Sequence, residues 1–466
     1  MHIRRLLLIV LLLAFSLACN AVTRAFEPSQ PTATAFETLA PTVLAPTATA
    51  FETNLYIPPS CQGKPVATIP VATALARPTP LLSVNPEISK ATQHEIFDKL
   101  TTRIELVYLY PDYNGLNWPA LVEKYDDKIE TGLDTESFYR EMENFIEELD
   151  DEHSSFLSPA DVAAANAELA GENEYVGIGV LILPMPKKGR VTLLSVLPGS
   201  AAERGGLKQH DSILAVDGHP IIEDGQEYSM RVRGPECSAV RLRVQSPGGE
   251  PREVMFMRYR ITGSQQIVAR IVPTGDGSRI GYIFIPTFFD ETIPEQIMEA
   301  LEEFGELDGL ILDNRMNGGG SSTVVYPIMN LFTSGTVGHF VSRGATSALT
   351  LTAERVANSQ DVPLVVLVGE DTVSFGEIFS GALQDIGRAK IVGQKTLGNV
   401  ETLSGYDFSD GSQAWIAAER FDPLNSHADW ERDGIIPDVE AYADWDTFTF
   451  ETDPSVAAAV KLLGHE

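Results

Sequence analysis

The side chain with the clearest chemical potential is Ser374. The stretch 371–385, DTVSFGEIFSGALQD, follows the apolar run PLVVLV and begins an amphipathic helical pattern, so this serine stands where a strand ends and a helix starts. One interpretation is structural, because residues 374–377, SFGE, fit the Ser-x-x-Glu capping box. The other is chemical: the positive end of the helix would stabilise an oxyanion formed by attack of Ser374, with the backbone N–H of Phe375 as a donor.

A glycine-rich loop upstream offers more backbone donors. Three consecutive glycines follow an apolar strand pattern in LDNRMNGGGSS. Glycine lets a backbone approach a ligand closely, so N–H groups of Gly319 or Gly320 are predicted to complete an oxyanion hole with Phe375. A plain turn is the alternative. Asp313 and Arg315 are expected to brace this loop by an ion pair.

These stretches resemble a known family. DNRMNGGG is similar to the Asp-Leu-Arg-x-Asn-x-Gly-Gly motif of tail-specific, or C-terminal processing, serine proteases. VSFGEIFSGALQDIGRAKIVGQKTLG is similar to the nucleophile helix and following strand of those proteases. The resemblance implies an α/β catalytic domain of the crotonase or ClpP-like fold over 262–466, which cleaves proteins or peptides with Ser374 as nucleophile.

A β-rich segment inserted before it, 174–261, resembles a PDZ domain. PGSAAERGGL followed by DSILAVDG reproduces the PDZ layout, with His210 where glycine is usual. Gly177, Ile178 and Gly179 match the loop that holds the terminal carboxylate of a bound peptide. A tight glycine turn can form an anion nest, and the adjacent strand edge can pair with an extended chain. Protein or peptide partners are therefore expected, and a β-module without a ligand is the alternative.

The predicted proton acceptor differs from the one used by the best-known members of the family. Those members use a Ser–Lys dyad, with the lysine in Thr-Phe-Gly-Lys-Gly. The matching stretch here is TLGNV, which puts Asn399 at the lysine position. An amide cannot accept and return a proton as an amine does. Lys395 would face the other way on an extended chain, so a surface or ion-pair role is expected for it.

A second branch of the family, which includes the tricorn core protease, uses histidine and glutamate. Its histidine precedes the PDZ domain, where DDEHSSF here supplies His153. Its glutamate lies in Glu-x-x-Gly-Val-x-Pro-Asp, where ERDGIIPD here supplies Glu431. An imidazole accepts a serine proton near neutral pH, and a carboxylate orients it. We predict Ser374, His153 and Glu431 as the catalytic residues, with His427 as the rival base.

The N-terminus carries an export signal. Two arginines before a short apolar run, RRLLLIVLLLAFSLAC, are typical of a secretory signal and not of a spanning helix. Cys19 follows a small residue, as at a bacterial lipoprotein cleavage site. Residues 1–18 are therefore predicted to be removed and Cys19 to carry lipid. The protein is expected outside the cytoplasm, anchored by lipid to the bacterial cell membrane, with plain secretion as the alternative.

The rest of the chain can be divided into segments by composition and periodicity. Residues 19–85 are rich in Pro, Thr and Ala, contain PTATAFET twice and are predicted to form an extended tether. Helical periodicity covers 86–173, and alternating strands and helices after 262 predict parallel pairing. Two further cysteines, Cys61 and Cys237, leave open one disulfide or two separate thiols.

Charge and motif content exclude several classes of function. The formal net charge of -31 disfavours binding to nucleic acid or to anionic membrane surfaces. The sequence has no zinc-ligand spacing, nucleotide loop or dinucleotide fingerprint, so no cofactor and no metal are expected. An exported serine endopeptidase is the predicted function. Because Asn399 replaces lysine, a catalytically inactive scaffold that binds peptides or apolar ligands is the alternative.

Overall fold

The computed structural model describes residues 55–64 and 85–465. The predicted signal 1–18, the predicted lipid site Cys19 and most of the predicted tether therefore lie outside the described residues. Within the described ranges, no helix is both long enough and apolar enough to cross a membrane.

The N-terminal region is helical, as its periodicity predicts. Its helices begin at side-chain caps, such as Asp134, which accepts a hydrogen bond from the Ser137 N–H, and Ser158, which forms a capping box with Asp161. The apolar faces pack together and against strands from the C-terminal region. The elements are α1 (Lys90–Val107), α2 (Trp118–Glu130), α3 (Thr135–Glu147), β1 (Ser155–Leu157) and α4 (Pro159–Leu169).

The predicted PDZ segment folds around its own apolar core. Its main sheet has the order β10-β9-β5-β4-β3, with β6 paired to β5, so β3 is an edge strand. Two further strands, β2 and β11, pair with each other as a separate antiparallel sheet. The elements are β2 (Asn173–Gly177), β3 (Val180–Met185), β4 (Arg190–Val196), α5 (Ala201–Arg204), β5 (Ser212–Val216), β6 (His219–Pro220), β7 (Ile222–Glu223), β8 (Gln226–Glu227), β9 (Ala239–Gln245), β10 (Arg252–Met257) and β11 (Tyr259–Gly263).

Residues 55–64 lie against this domain, although their composition predicts a tether. Cys61 forms a disulfide with Cys237, and both are buried beside Met257. The Arg204 guanidinium also lies 4.6 Å above the Tyr56 ring. The cross-link, which the sequence left open, therefore fixes a short segment that composition alone would leave extended.

The C-terminal region contains two sheets. The first has the order β12-β13-β14-β17-β18-β21, with β13 to β21 parallel and only its edge strand β12 antiparallel. Parallel pairing was predicted and is confirmed. The elements are β12 (Val268–Val272), β13 (Ile280–Phe284), α6 (Ile293–Phe304), β14 (Gly309–Asp313), α7 (Ser322–Asn330), β15 (Gly335–Val341), β16 (Thr346–Leu351), β17 (Leu364–Val368), α8 (Phe375–Asp385), β18 (Lys390–Gly393), β19 (Thr402–Asp407), β20 (Gln413–Pro423), α9 (Trp430–Asp433), β21 (Val439–Glu440) and α10 (Pro454–Leu462).

The second sheet brings the two ends of the chain together. Its order is β1-β20-β15-β16, with β19 paired to β20. Strand β1 comes from the N-terminal region and pairs with β20 in the register Ser155 to Trp415. Because β1 begins two residues after His153, this pairing holds the histidine loop against the C-terminal region.

His210, which replaces the usual glycine of the PDZ layout, joins that domain to the C-terminal region. It is 2% exposed. Its Nδ1–H donates to the Trp445 carbonyl over 2.9 Å, and the Trp445 indole N–H donates to the Leu193 carbonyl over 3.1 Å. Burial lowers the pKa of His210 from 6.5 to about 4, against the smaller opposite effect of its backbone acceptor. His210 is therefore a neutral residue of the domain contact.

His210→Asn is expected to weaken the pH dependence of stability. A histidine with a depressed folded pKa contributes stability that is present above pH 6.5 and lost as the pH falls towards 4. The wild type should lose about 3 kcal/mol more than the variant over that interval. Asparagine tolerates the positive φ of 73° at this position and does not titrate. Urea unfolding at both pH values measures the difference, and equal losses in the two proteins would contradict the prediction.

Candidate active site

Ser374 immediately precedes α8 and has a strained backbone. Its φ of 56° and ψ of -125° are uncommon for a residue with a Cβ, and such strain concentrates at functional sites. Its side chain makes no capping hydrogen bond, so the capping interpretation is wrong for this hydroxyl. Its backbone N–H donates to the Asn399 carbonyl over 2.8 Å. The turn thus presents an uncommitted hydroxyl at the positive end of a helix.

The glycine loop lies directly against this turn. The Val373 N–H donates to the Asn317 carbonyl over 3.1 Å. A Cβ added to Gly319 would lie 2.8 Å from the Ser374 Cβ and 3.1 Å from the Phe375 nitrogen. Glycine is needed at 319 because no side chain fits between the loop and the turn.

Two of the three predicted oxyanion donors are available. Across the described ranges, neither the Phe375 N–H nor the Gly320 N–H has an acceptor within the protein. The prediction for Gly319 is wrong in this conformation, because its N–H donates to the Asn317 side chain over 2.9 Å. Sequence spacing did not predict this local hydrogen bond between the Gly319 amide and a nearby side chain.

An ion pair braces the start of the glycine loop, as predicted. Arg315 binds Asp313 through two hydrogen bonds of 2.9 and 2.6 Å. The same guanidinium also binds Asp453, at 3.2 and 2.6 Å, where the C-terminal helix α10 begins. The Tyr282 hydroxyl donates to Asp313 over 2.6 Å. This buried network ties the glycine loop to the last helix of the described chain.

A short turn of the chain holds His153 in place. The Asp151 carboxylate accepts hydrogen bonds from the backbone N–H groups of His153 and Ser154, at 3.0 and 2.8 Å. The Ser154 hydroxyl donates to Asp151 over 2.7 Å and accepts from the Ala417 N–H on β20 over 3.0 Å. Ser154 therefore anchors the histidine loop to the second sheet.

The His153 imidazole faces two glutamates. Its Nε2 lies 3.2 Å from Glu431 Oε1 and 3.6 Å from Glu401 Oε2. The His153 side chain is 4% exposed and that of Glu401 is 2% exposed. The Tyr110 hydroxyl donates to the other Glu401 oxygen. The sequence predicted His153 and Glu431, which the structure brings into contact, but not Glu401 and Tyr110, which carry no motif and meet only in the folded chain.

The three ionisable groups have different electrostatic environments. Burial alone would lower the pKa of His153, but the hydrogen bond and charge of Glu431, with the charge of Glu401, raise it overall. Burial raises the pKa of Glu401 to about 7. Burial also acts to raise the pKa of Glu431, yet its bonds to His153 and to two backbone N–H groups lower it overall. Glu431 is thus the charged partner of the imidazole, and Glu401 is the carboxyl that ionises only near neutral pH.

One peptide unit joins the serine turn to this cluster. The carbonyl of the 399–400 peptide accepts from the Ser374 N–H over 2.8 Å. The N–H of the same peptide, on Val400, donates to Glu431 Oε2 over 2.7 Å. The Ser374 backbone and the carboxylate that binds His153 are therefore held at opposite edges of a single planar peptide group.

The rival bases lie outside this cluster. Lys395 is exposed, and Asn399 is 4% exposed beside the serine turn. The His427 side chain is 65% exposed and contacts Asp422 at 3.1 Å. Neither Lys395 nor His427 has a hydrogen bond to Ser374 in the described part of the chain.

The predicted peptide-binding loop of the β-rich domain has unused donors. The carbonyls of Ile178 and Gly179 accept from the Ala202 and Leu197 N–H groups, both at 3.0 Å. The N–H groups of Ile178 and Gly179 have no acceptor among the residues that the structure covers. Gly177 ends β2, and the edge strand β3 begins just after the loop. This arrangement is what capture of a terminal carboxylate beside a free strand edge requires.

A metal ion would find suitable donor atoms at the histidine cluster. One donor atom each from His153, Glu401 and Glu431 lies within 4.8 Å of the other two. Nitrogen and carboxylate oxygen donors of this kind suit zinc. A second group, around Cys61 and Cys237, is excluded because those sulfurs are joined in the disulfide.

Comparison with known proteins identifies both folded regions. Residues 279–441 match the model of peptidase family S41, and residues 192–246 match that of the PDZ domain. A carboxyl-terminal-processing protease of Synechocystis sp. is 33% identical over 370 residues, covering 76% of this chain and 83% of that protein. A carboxyl-terminal-processing protease of Picosynechococcus sp. is 30% identical, with 77% and 86% covered. The solved structure of the photosystem II D1 C-terminal processing protease has the same fold, with a TM-score of 0.51 at 23% identity over 79% of this chain and 97% of that one.

Proposed function

This chain belongs to peptidase family S41, with the carboxyl-terminal-processing serine proteases, and we propose that it is an exported endopeptidase with a Ser–His–Glu catalytic set. Ser374 is the nucleophile, His153 the general base and Glu431 the group that orients the base. The observation that carries this assignment is the 399–400 peptide, which bonds to the Ser374 backbone on one side and to the carboxylate of Glu431 on the other.

The proposed reaction uses the second nitrogen of the imidazole. Because Glu431 holds the Nε2 side of His153, Nδ1 is the nitrogen that accepts the Ser374 proton. The Ser374 hydroxyl makes no capping bond to α8, and the proposal requires that it meets His153 Nδ1 when substrate is bound. Catalytic hydrogen bonds commonly tighten only when substrate is bound.

Bond making and breaking then follow the general course of acyl transfer. Ser374 Oγ bonds to the substrate carbonyl carbon, and the Phe375 and Gly320 N–H groups donate to the oxyanion. His153 returns the proton to the leaving amine as the peptide bond breaks, which leaves an acyl-enzyme. A water molecule, deprotonated by His153, then releases the acyl group and restores the serine.

The opposite pKa shifts of Glu401 and Glu431 favour Glu431 as the ionised carboxylate beside the His153 imidazole. Two ionised carboxylates around one nitrogen would repel each other. Burial raises the pKa of Glu401 to about 7, whereas the pKa of Glu431 is lowered. Glu431 therefore stabilises the imidazolium that forms during attack, while Glu401, bound by the Tyr110 hydroxyl, closes the site from the other side.

The remaining parts of the proposal concern substrate and location. The unused amides of Ile178 and Gly179, beside the free edge of β3, support capture of the C-terminal end of a protein or peptide substrate. The Cys61–Cys237 disulfide supports an oxidising compartment and therefore export. Anchoring through a lipid on Cys19 follows from the N-terminal sequence pattern.

Labelling with a fluorophosphonate tests the nucleophile without a known substrate. The wild type should react at one site per chain, and Ser374→Ala should abolish the reaction, because only an activated serine attacks this probe. Ser380→Ala is the matched control, since Ser380 lies buried on the same helix with its hydroxyl bonded to the Gly376 carbonyl at 2.8 Å. A folded wild type that stays unlabelled but binds peptides would favour the scaffold alternative.

A further inference from the structure

We propose that His153, Glu401 and Glu431 form a site for a divalent transition metal, Zn²⁺ above all, that reversibly blocks the catalytic base. The site itself rests only on the geometry of these side chains. Its inhibitory effect rests on the proposed function, in which His153 must accept a proton.

The spacing of the donor atoms suits tetrahedral zinc. His153 Nε2 lies 3.2 Å from Glu431 Oε1 and 3.6 Å from Glu401 Oε2. Zinc binds nitrogen and carboxylate oxygen at about 2.0–2.2 Å, which puts neighbouring donors of a tetrahedron about 3.4 Å apart. All three donor atoms lie within 4.8 Å of one another, so side-chain rotation would close them around one ion, and the fourth position would hold water.

Glu401 supplies an independent indication of a ligand. Its Oε2 is buried and has no hydrogen-bond partner within the described chain, and it points at His153. A buried carboxyl oxygen without a partner is costly, and a cation that displaces the proton of Glu401 would satisfy it. The charge of a metal would also permit both glutamates to be ionised together.

Outer hydrogen bonds already orient the two carboxylates. The Tyr110 hydroxyl donates to Glu401 Oε1, which leaves Oε2 for a metal. The N–H groups of Val400 and Glu401 donate to Glu431 Oε2 at 2.7 and 3.2 Å, which leaves Oε1 for a metal. Metal ligands in proteins are usually held by outer partners of this kind.

The donor set selects zinc over the hard cations. Mg²⁺ and Ca²⁺ take six or more oxygen ligands, whereas this site offers one imidazole nitrogen and two carboxylates. The Glu431 side chain is 30% exposed, so the ion has an access route from solvent.

Metal binding would remove the base from the reaction. An imidazole bound to metal through Nε2 carries its proton on Nδ1. That nitrogen then cannot accept the Ser374 proton, and Glu431 can no longer stabilise the imidazolium. Chelation of the ion restores the neutral imidazole, so the inhibition is reversible.

Titration calorimetry with zinc chloride tests the site in a protein that cannot turn over. Ser374→Ala should bind one Zn²⁺ per chain, with Mg²⁺ giving no comparable signal. Loss of a residue that hydrogen-bonds to a metal ligand weakens metal binding by about 10–100-fold. Removal of a ligand itself, by His153→Ala or Glu401→Gln, should therefore weaken zinc binding by about 100-fold or more. His427→Ala, which removes an exposed histidine, should leave the affinity unchanged.

The outcomes separate the metal site from the proposed function. Zinc binding that is absent from folded Ser374→Ala, or that survives both ligand substitutions, would overturn the site. Glu401→Gln keeps the size of the side chain, so a matching melting temperature shows that lost binding is not lost folding. If zinc binds through these ligands but does not slow fluorophosphonate labelling of the wild type, the site stands and His153 is not the base.

Discussion

Replacing His153 with alanine is expected to slow the reaction of Ser374 by about 10⁴-fold near neutral pH. The reason is that the serine hydroxyl is not nucleophilic until a base takes its proton. The described residues place no lysine at the family position, where Asn399 stands instead. In the proposed mechanism that base is the His153 imidazole, which lies 3.2 Å from Glu431.

The rate of fluorophosphonate labelling measures this loss without assuming a substrate. Lys395→Ala and His427→Ala are matched controls, because they remove an exposed amine and an exposed imidazole from the same half of the protein. Both controls should label at nearly the wild-type rate. Slow labelling of Lys395→Ala together with normal labelling of His153→Ala would show that Lys395 is the proton acceptor. His153→Gln, which retains size without basicity, separates loss of the base from loss of packing.

The residues proposed for the site that carry local motifs could be predicted from the sequence. Ser374 is identified by a strand-to-helix transition, and His153 and Glu431 by short family patterns. The structure brings the latter two together across 278 positions of sequence. Strand β1 explains how, because its pairing with β20 carries the histidine loop into the second sheet.

Other features depend on contacts that no local pattern reveals. Glu401 is an ordinary acidic residue in the run NVETL until the fold buries it beside His153. The amide of Gly319 is equivalent to its neighbours until the Asn317 side chain binds it at 2.9 Å. Ser374 fits a capping box, but with a backbone φ of 56° its hydroxyl makes no capping bond to the helix amides. In each case, tertiary geometry overrides a valid local preference.

The tether predicted from composition does not hold for residues 55–64. Pro, Thr and Ala enrichment predicts an extended tether up to residue 85, and composition cannot register the effect of a covalent cross-link. Cys61 closes a disulfide across 176 positions and so holds the segment 55–64 against the β-rich domain. Pairing of two cysteines is a spatial property, which is why the sequence left both possibilities open.

Arg315→Met is expected to lower the free energy of unfolding by about 3–5 kcal/mol. The guanidinium is buried and binds both Asp313 and Asp453. Methionine fills much of the volume but leaves two buried carboxylates without a counter-charge. The loss should also loosen the glycine loop, which Arg315 ties to α10, and so reduce the rate of Ser374 labelling.

The Arg315 prediction can be measured by urea unfolding followed through Trp445, whose ring lies 4.8 Å from the guanidinium. Arg355→Met is the matched control. It breaks an ion pair of similar length, 2.6 Å to Asp361, with the two side chains 56% and 71% exposed. Exposed pairs contribute at most about 1 kcal/mol, so this variant should unfold nearly as the wild type does. Adding Asp313→Asn and Asp453→Asn to Arg315→Met should recover part of the loss, because the unpaired charges are then gone. Equal stability of the two arginine variants would show that the buried network does not hold the loop.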